Sequence, residues 1–510
     1  MKKGRVTAPF SVFISIHVRS NLDCYNQRMN TLTRLLSFHR LLIVIIVVTA
    51  VSRIAFSAPL YLLDDEAYYW VWSRNLSWSY YDHPPMVAWL VYLATSVLGD
   101  EPWVIRLPAI VSIAVASYVG VRLIQKIYGH GAAYHYLAFT VVALIFFGTA
   151  AGMVPDAPMT MFMALSLYYF YRAVFEGSWK SWYGVGLFLG LAFLSKYIAV
   201  LWAIAMLMFM LINPKARAQL RTPHPWLASA LALIVFSPVF IWNAQHDWAS
   251  FLFQLGHGLP QDKQGDVVGY LVGQAAIITP GVFIILIGTW FGVLRQWKQM
   301  DSKIQWLVLC SLFPFLFFLY ASTKAPVSAN WPAFSYFTGL MLVAAWHSVA
   351  KVKWKQAVVG INYVLLLVLP ALLVAQIYWK VLPLGEADPT KRYFGWPSVF
   401  KQVELLKELY PDAIVVGNRY QTASQIAYYF KVPHIPALNI EARANHYDYI
   451  SDEPLRGKDV LIIDKGYHPE RFEKCFESVE VVAEFKGLRP YRSPLQMRAI
   501  YGKNYQPEVC

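Results

Sequence analysis

The chain has 510 residues, 57% hydrophobic and 15% charged, and its mean hydropathy of +0.42 is far too apolar for a soluble protein of this size. A net charge of +14 does not make it a nucleic-acid binder, because its Lys and Arg residues are dispersed between apolar segments and form no single basic face. What remains is a polytopic α-helical membrane protein whose partner is the lipid bilayer.

Residues 1–40 carry Lys2, Lys3, Arg5, Arg19, Arg28, Arg34 and Arg40 against the single acid Asp23, and are expected to be a basic cytoplasmic N-terminus. The region is too long for a signal peptide, so the first apolar stretch is expected to be retained as an anchor. Met29 opens a second start-like run, Met-Asn-Thr-Leu-Thr-Arg.

Apolar segments approaching the span length of about 20 residues fall near 41–59, 104–125, 133–151, 158–175, 182–195, 197–212, 227–243, 269–293, 304–322, 331–350 and 356–379. That predicts about eleven transmembrane helices within 41–379. The two segments from 182 to 212 are short and adjoin at Lys196, so a re-entrant or merged arrangement there would change the count. Lys215, Arg217 and Arg221, then Arg295, Lys298 and Lys303, then Lys351, Lys353 and Lys355 mark the cytoplasmic side. With an odd number of spans, the first loop (60–103), Asp156, Lys196, Lys324 and the C-terminal region lie on the other side.

The first loop is the most chemically loaded part of the chain. Asp64-Asp65-Glu66-Ala67-Tyr68-Tyr69-Trp70 and Asp82-His83-Pro84-Pro85 set carboxylates among aromatic rings beside the bilayer, where charge is costly to desolvate. Asp156 stands in Val154-Pro155-Asp156-Ala157-Pro158, a turn that either holds its carboxylate at the interface or uses it to cap the next helix. Lys196 interrupts an apolar region and must snorkel or pair. Lys324 lies in a loop after a span, and His257 and Lys263 lie in a polar loop.

From about 380 onward charge density rises and apolar runs shorten, which predicts a soluble α/β domain over 380–510. The predicted elements are a helix at 399–409, a strand at 413–417, a helix at 421–430 and strands at 459–464, 479–485 and 497–501. Asn418-Arg419-Tyr420-Gln421 and the run from Arg443 to Asp448 offer groups suited to sugar recognition. Cys475 and Cys510 share this domain and could pair in an oxidising compartment.

An Asp-Glu pair after the first span, an acid before Pro-Pro, Pro-Asp-Ala-Pro and Leu-Ser-Lys-Tyr, in that order, resemble the polytopic GT-C glycosyltransferases. The likeness is to the superfamily of protein O-mannosyltransferases and aminoarabinose transferases, and it covers most of the first 350 residues. It implies a GT-C membrane fold with a periplasmic C-terminal domain in the bacterial inner membrane. It further implies transfer of a sugar, with inversion, from a polyprenyl-phosphate donor to a glycolipid acceptor such as lipid A, or to a protein. On the residues that match, Asp65, Glu66 and Asp156 are the candidate catalytic acids, with Asp65 the choice for general base. Lys196, Lys324 and His83 are candidate ligands of the donor phosphate, and Asp64 and Asp82 candidates for acceptor or metal binding. The chain departs from the family at His83, where aminoarabinose transferases usually have Lys, and at Tyr68, where they often have Arg. A divalent cation held by Asp65, Asp82, Asp156 and His83 is compatible with the sequence but not required, since lysines can neutralise a leaving phosphate. The rival reading is a transporter or flippase for lipid-linked substrates, which would place its ionisable groups near mid-span.

Overall fold

The first expected span forms the helix Thr31–Ser57, on which Ile43, Val44, Val47, Val48 and Val51 are exposed. Such an apolar surface is stable only against lipid. The computed structural model describes residues 31–258, 264–349, 353–440, 442–465, 472–489 and 493–510. Most of the N-terminal region, and Lys263 together with the His257 side chain, therefore lie outside the described residues.

Helices dominate as far as Trp379, and they depart from the expected spans in instructive ways. The polar stretch between 104–125 and 133–151 is a kink and not a loop. One helix, Pro102–Val142, runs through it and bends at Gly129, whose φ of 83° a residue without Cβ adopts readily. The expected span at 269–293 is two helices, Val267–Ile278 and Pro280–Arg295, bent by 109°. Pro280 has no N–H to continue the first helix and disfavours helical geometry at Thr279, which stands at φ 75°. Ser181–Ser195 and Val200–Ile212 stay separate because Lys196 between them is extended.

Among the described residues, five helices are long and apolar enough to cross a bilayer, or six if the bent pair counts as one span, against the eleven expected. Three further apolar helices, Met86–Leu98, Ser181–Ser195 and Tyr197–Ile212, are shorter than 18 residues, and the 41-residue Pro102–Val142 takes in parts of two expected spans. Every residue from Ser335 to His347 in the helix Ser335–Ser348 is buried. Asp156–Val174 is long enough at 19 residues, but it carries Asp156, Arg172 and three tyrosines.

After the Lys353–Trp379 helix the chain forms a mixed sheet in the order β1-β2-β4-β3. The strands are β1 (Ile414–Gly417), β2 (Val460–Asp464), β3 (Ser478–Gly487) and β4 (Leu495–Lys503). β1 and β2 are parallel and the other pairs antiparallel. Successive β2 residues face opposite ways: Leu461 and Ile463 join Trp396, Phe400 and Met497, while Val460 and Ile462 join Leu455, Phe476 and Tyr505. Helix Trp396–Leu409 covers the first of these faces, and Cys475 and Cys510 are disulfide-bonded.

This C-terminal cap is not an independent appendage. Ala423, Ala427 and Tyr428 of helix Tyr420–Phe430, with Tyr447, belong to the same apolar cluster as Trp70, Trp72 and Val71 of the first loop. The cap is thereby seated on the acidic tract.

Candidate active site

The acidic tract is the first turn of a helix, Asp64–Arg74, where three carboxylates suit the positive end of the helix dipole. Adjacent residues point about 100° apart on a helix, and the three acids meet three different environments.

Glu66 faces inward and is fully buried. It accepts hydrogen bonds from Arg106 Nε (2.8 Å) and Nη2 (2.6 Å) and from the backbone N–H groups of Leu63 (2.8 Å) and Met153 (2.9 Å). Arg106, also buried, donates in addition to the carbonyls of Ser57, Leu60 and Tyr61. The pair ties the end of the first span, the loop and the Pro102–Val142 helix together, and it leaves Glu66 no access to a substrate.

Asp64 faces the cap, where its carboxylate accepts from Trp396 Nε1 (2.9 Å) and Gln425 Nε2 (3.0 Å). Asp65 opens into the cleft between the two regions and accepts from the Tyr420 hydroxyl at 3.2 Å. Its carboxylate is reachable, yet walled by so much protein that desolvation, together with the charge of Asp64, raises its pKa. Arg392 and Arg443 partly oppose the rise. A carboxylate moved upward in this way is a stronger base than an ordinary aspartate.

Asp82 comes from the next turn of the loop. It accepts from the Tyr68 hydroxyl (2.8 Å) and from Arg443 Nη2 (2.6 Å), and desolvation nonetheless pushes its pKa to about 6. The Tyr68 oxygen in turn accepts from the backbone N–H of His446 at 2.6 Å. Asp156 begins the helix Asp156–Val174, and its carboxylate takes both contacts of Lys196 Nζ, at 2.9 and 2.8 Å, instead of capping the helix. The lone lysine of the apolar region is therefore paired.

The Tyr69 phenol lies at the centre. The charges of Asp65, Asp82 and Asp156 all act on it, and with burial they keep it protonated far beyond the ordinary tyrosine range. Three of the predicted acids thus act electrostatically on one buried phenol, and Lys196 is bound to the third. His83 is at their edge, its ring 6.3 Å from that of Tyr69. Lys324 is exposed and lies 6.0 Å from the Tyr320 ring, and no hydrogen bond or ion pair joins it to the acids among the described residues. Nor do any three His, Cys, Asp or Glu side chains form a metal-ligand set among the described residues.

In the sequence Tyr420 and Arg443 stand only among groups suited to sugar recognition, and Arg106 is not among the candidates. Arg106 was detectable as a lone cation inside an apolar run, which requires a buried partner. Arg443 carried no such signal, because an arginine in a polar loop looks like any surface residue.

The pH dependence of Asp82 is a direct test. Activity should fall below about pH 6 as Asp82 is protonated and its grip on Arg443 weakens, and Asp82→Asn should remove that limb of the profile. The folded-state pKa lies above the ordinary 3.8, so the folded state holds this proton more tightly than the unfolded chain. Protonation of Asp82 alone therefore favours folding as pH falls from about 6 toward 4. A pH–rate profile set beside melting curves should show activity lost while the fold is retained.

The helical membrane bundle and its acidic loop thus meet the α/β cap over a cleft of carboxylates and cations. The family model for dolichyl-phosphate-mannose-protein mannosyltransferase matches residues 82–242. The chain is 28% identical over 384 residues to lipid A galacturonosyltransferase RgtD of Rhizobium johnstonii, covering 70% of this chain and 76% of that one. Its fold is that of ArnT from Cupriavidus metallidurans. The apo structure superposes with a TM-score of 0.61 at 14% identity, covering 91% of this chain and 98% of ArnT. The structure bound to undecaprenyl phosphate gives 0.60 at 13% identity, with 90% and 97% covered. The chain has the polytopic helical GT-C fold, and the sequences it resembles are glycosyltransferases.

Proposed function

We propose that the protein transfers a glycosyl unit from a polyprenyl-phosphate carrier to lipid A, at the periplasmic face of the bacterial inner membrane. The observation that carries this reading is that cap residues Tyr420 and Arg443 bind Asp65 and Asp82 of the acidic loop, with Lys196 bound to Asp156. Asp65 removes the proton of the acceptor hydroxyl as it attacks the anomeric carbon. Lys196, shared with Asp156, faces the charge that develops on the leaving phosphate. Glu66 positions the helix that carries the base. RgtD and the carrier bound by ArnT support the choice of acceptor and donor. The mannosyltransferase family model keeps a protein acceptor as the second reading. The basic residues of the connecting loops support a cytoplasmic N-terminus, and the Cys475–Cys510 bond supports an oxidising compartment for the cap.

Mass spectrometry of lipid A, core glycan and envelope glycoproteins from a strain lacking this chain tests the proposal. Loss of one sugar mass from lipid A, restored by the wild-type chain, is expected. Unchanged glycans in every fraction would overturn it and favour the transporter reading.

Lys196→Ala should raise the KM for the lipid-linked donor by the equivalent of about 1.5–3 kcal/mol, the worth of a charge-assisted hydrogen bond. Initial rates against donor concentration read this directly, and an unchanged KM would remove Lys196 from the phosphate site.

A further inference from the structure

Arg443 stands at the mouth of the cleft, with its side chain 49% exposed. Its guanidinium carbon lies 5.2 Å from the centre of the Phe253 ring and 5.5 Å from that of Tyr420. Phe253 belongs to the membrane region and Tyr420 to the cap, so the two regions clamp the group between them. Nη2 donates to Asp82, and the positive charge acts on Asp65. Among the described residues no hydrogen bond engages Nε or Nη1. An arginine that served only to dock the cap on Asp82 would need one contact and no aromatic clamp. Here two rings and a carboxylate hold a planar fork while the three N–H donors on Nε and Nη1, of its five, take no hydrogen bond among the described residues, which is the geometry of a preorganised receptor for a planar or tetrahedral anion.

The charges around it make the same demand. Asp65 and Asp82 stand on either side of the guanidinium, which acts on the first and binds the second, and an anionic donor approaching Asp65 would be repelled unless a cation met it there.

We propose that Arg443 is a specificity-determining residue that receives an anionic group of the donor beside Asp65. That group is either a carboxylate on the transferred sugar or the phosphate of the carrier. The proposal rests on the glycosyl-transfer reading and assigns one part of that site.

The test uses the purified full-length wild type, Arg443→Gln and Arg443→Lys. Binding of galacturonic acid 1-phosphate, galactose 1-phosphate and undecaprenyl phosphate is measured by calorimetry, with a melting curve for each variant. If Arg443 reads a sugar carboxylate, Arg443→Gln weakens galacturonic acid 1-phosphate by between about 10- and 150-fold and leaves galactose 1-phosphate unchanged. If it reads phosphate, all three probes weaken together. Unchanged affinities for all three would overturn the proposal. Should Arg443→Gln fail to fold, Arg443→Lys decides, since it keeps the charge and loses the fork. Weaker binding at an unchanged melting temperature supports the receptor, and wild-type affinity overturns it. A wild-type chain that binds no probe and leaves envelope glycans unaltered would overturn the glycosyl-transfer reading as well, whereas failure in the variants alone rejects only the role of Arg443.

Discussion

Asp65→Asn should lower kcat by roughly 10²- to 10⁴-fold, the usual worth of a positioned general base, while the protein inserts and melts as the wild type does. The replacement is nearly isosteric, and its amide oxygen still accepts from Tyr420. It removes a charge that is desolvated and repelled by Asp64, so the melting temperature should be unchanged or slightly higher. Glu66→Gln would mimic a catalytic defect only through misfolding, which distinguishes the two neighbouring acids: loss of turnover with a normal melt belongs to Asp65, and loss of both to Glu66. A wild-type rate in Asp65→Asn would place the base elsewhere, with Asp82 and Asp156 next to be tested.

Arg106→Met should cost about 3–5 kcal/mol, the penalty for leaving one member of a buried ion pair without its partner. Both side chains are completely shielded from solvent, and the substitution strands the Glu66 carboxylate as well as the carbonyls of Ser57, Leu60 and Tyr61. The expected result is little folded protein after detergent extraction, scored by fluorescence-detected size exclusion. Arg106→Lys should be intermediate, because it restores the charge without the bidentate fork. Combining Arg106→Met with Glu66→Gln should recover part of the loss by removing the stranded charge. A monodisperse, fully stable Arg106→Met protein would show that the pair holds nothing together.

Much of the bundle was legible because lipid and protein interiors impose the same apolar pattern. The same pattern means that a segment such as Ser335–Ser348, buried among other helices, reads like one that faces lipid. The strands of the cap were readable from their alternation, and the predicted and observed limits of each differ by a few residues. In the site, motif order drew attention to Asp65, Asp82, Asp156 and Lys196. It could not separate Asp64, Asp65 and Glu66, because their difference is angular and depends on what packs against each face of one helical turn. Tyr420 and Arg443 were out of reach for another reason: no local pattern announces which surface residues of a distant segment will close over a loop.

That distance has a consequence for biogenesis. Tyr420 and Arg443 lie 355 and 361 positions from the carboxylates they bind, and the helices of the bundle are synthesised in between. The acidic turn therefore leaves the ribosome long before its roof, and a nascent or prematurely terminated chain presents Asp65 and Asp82 without Tyr420 and Arg443. Only a completely inserted chain brings the two sides of the cleft together, so half-assembled copies in the membrane should consume no lipid-linked sugar.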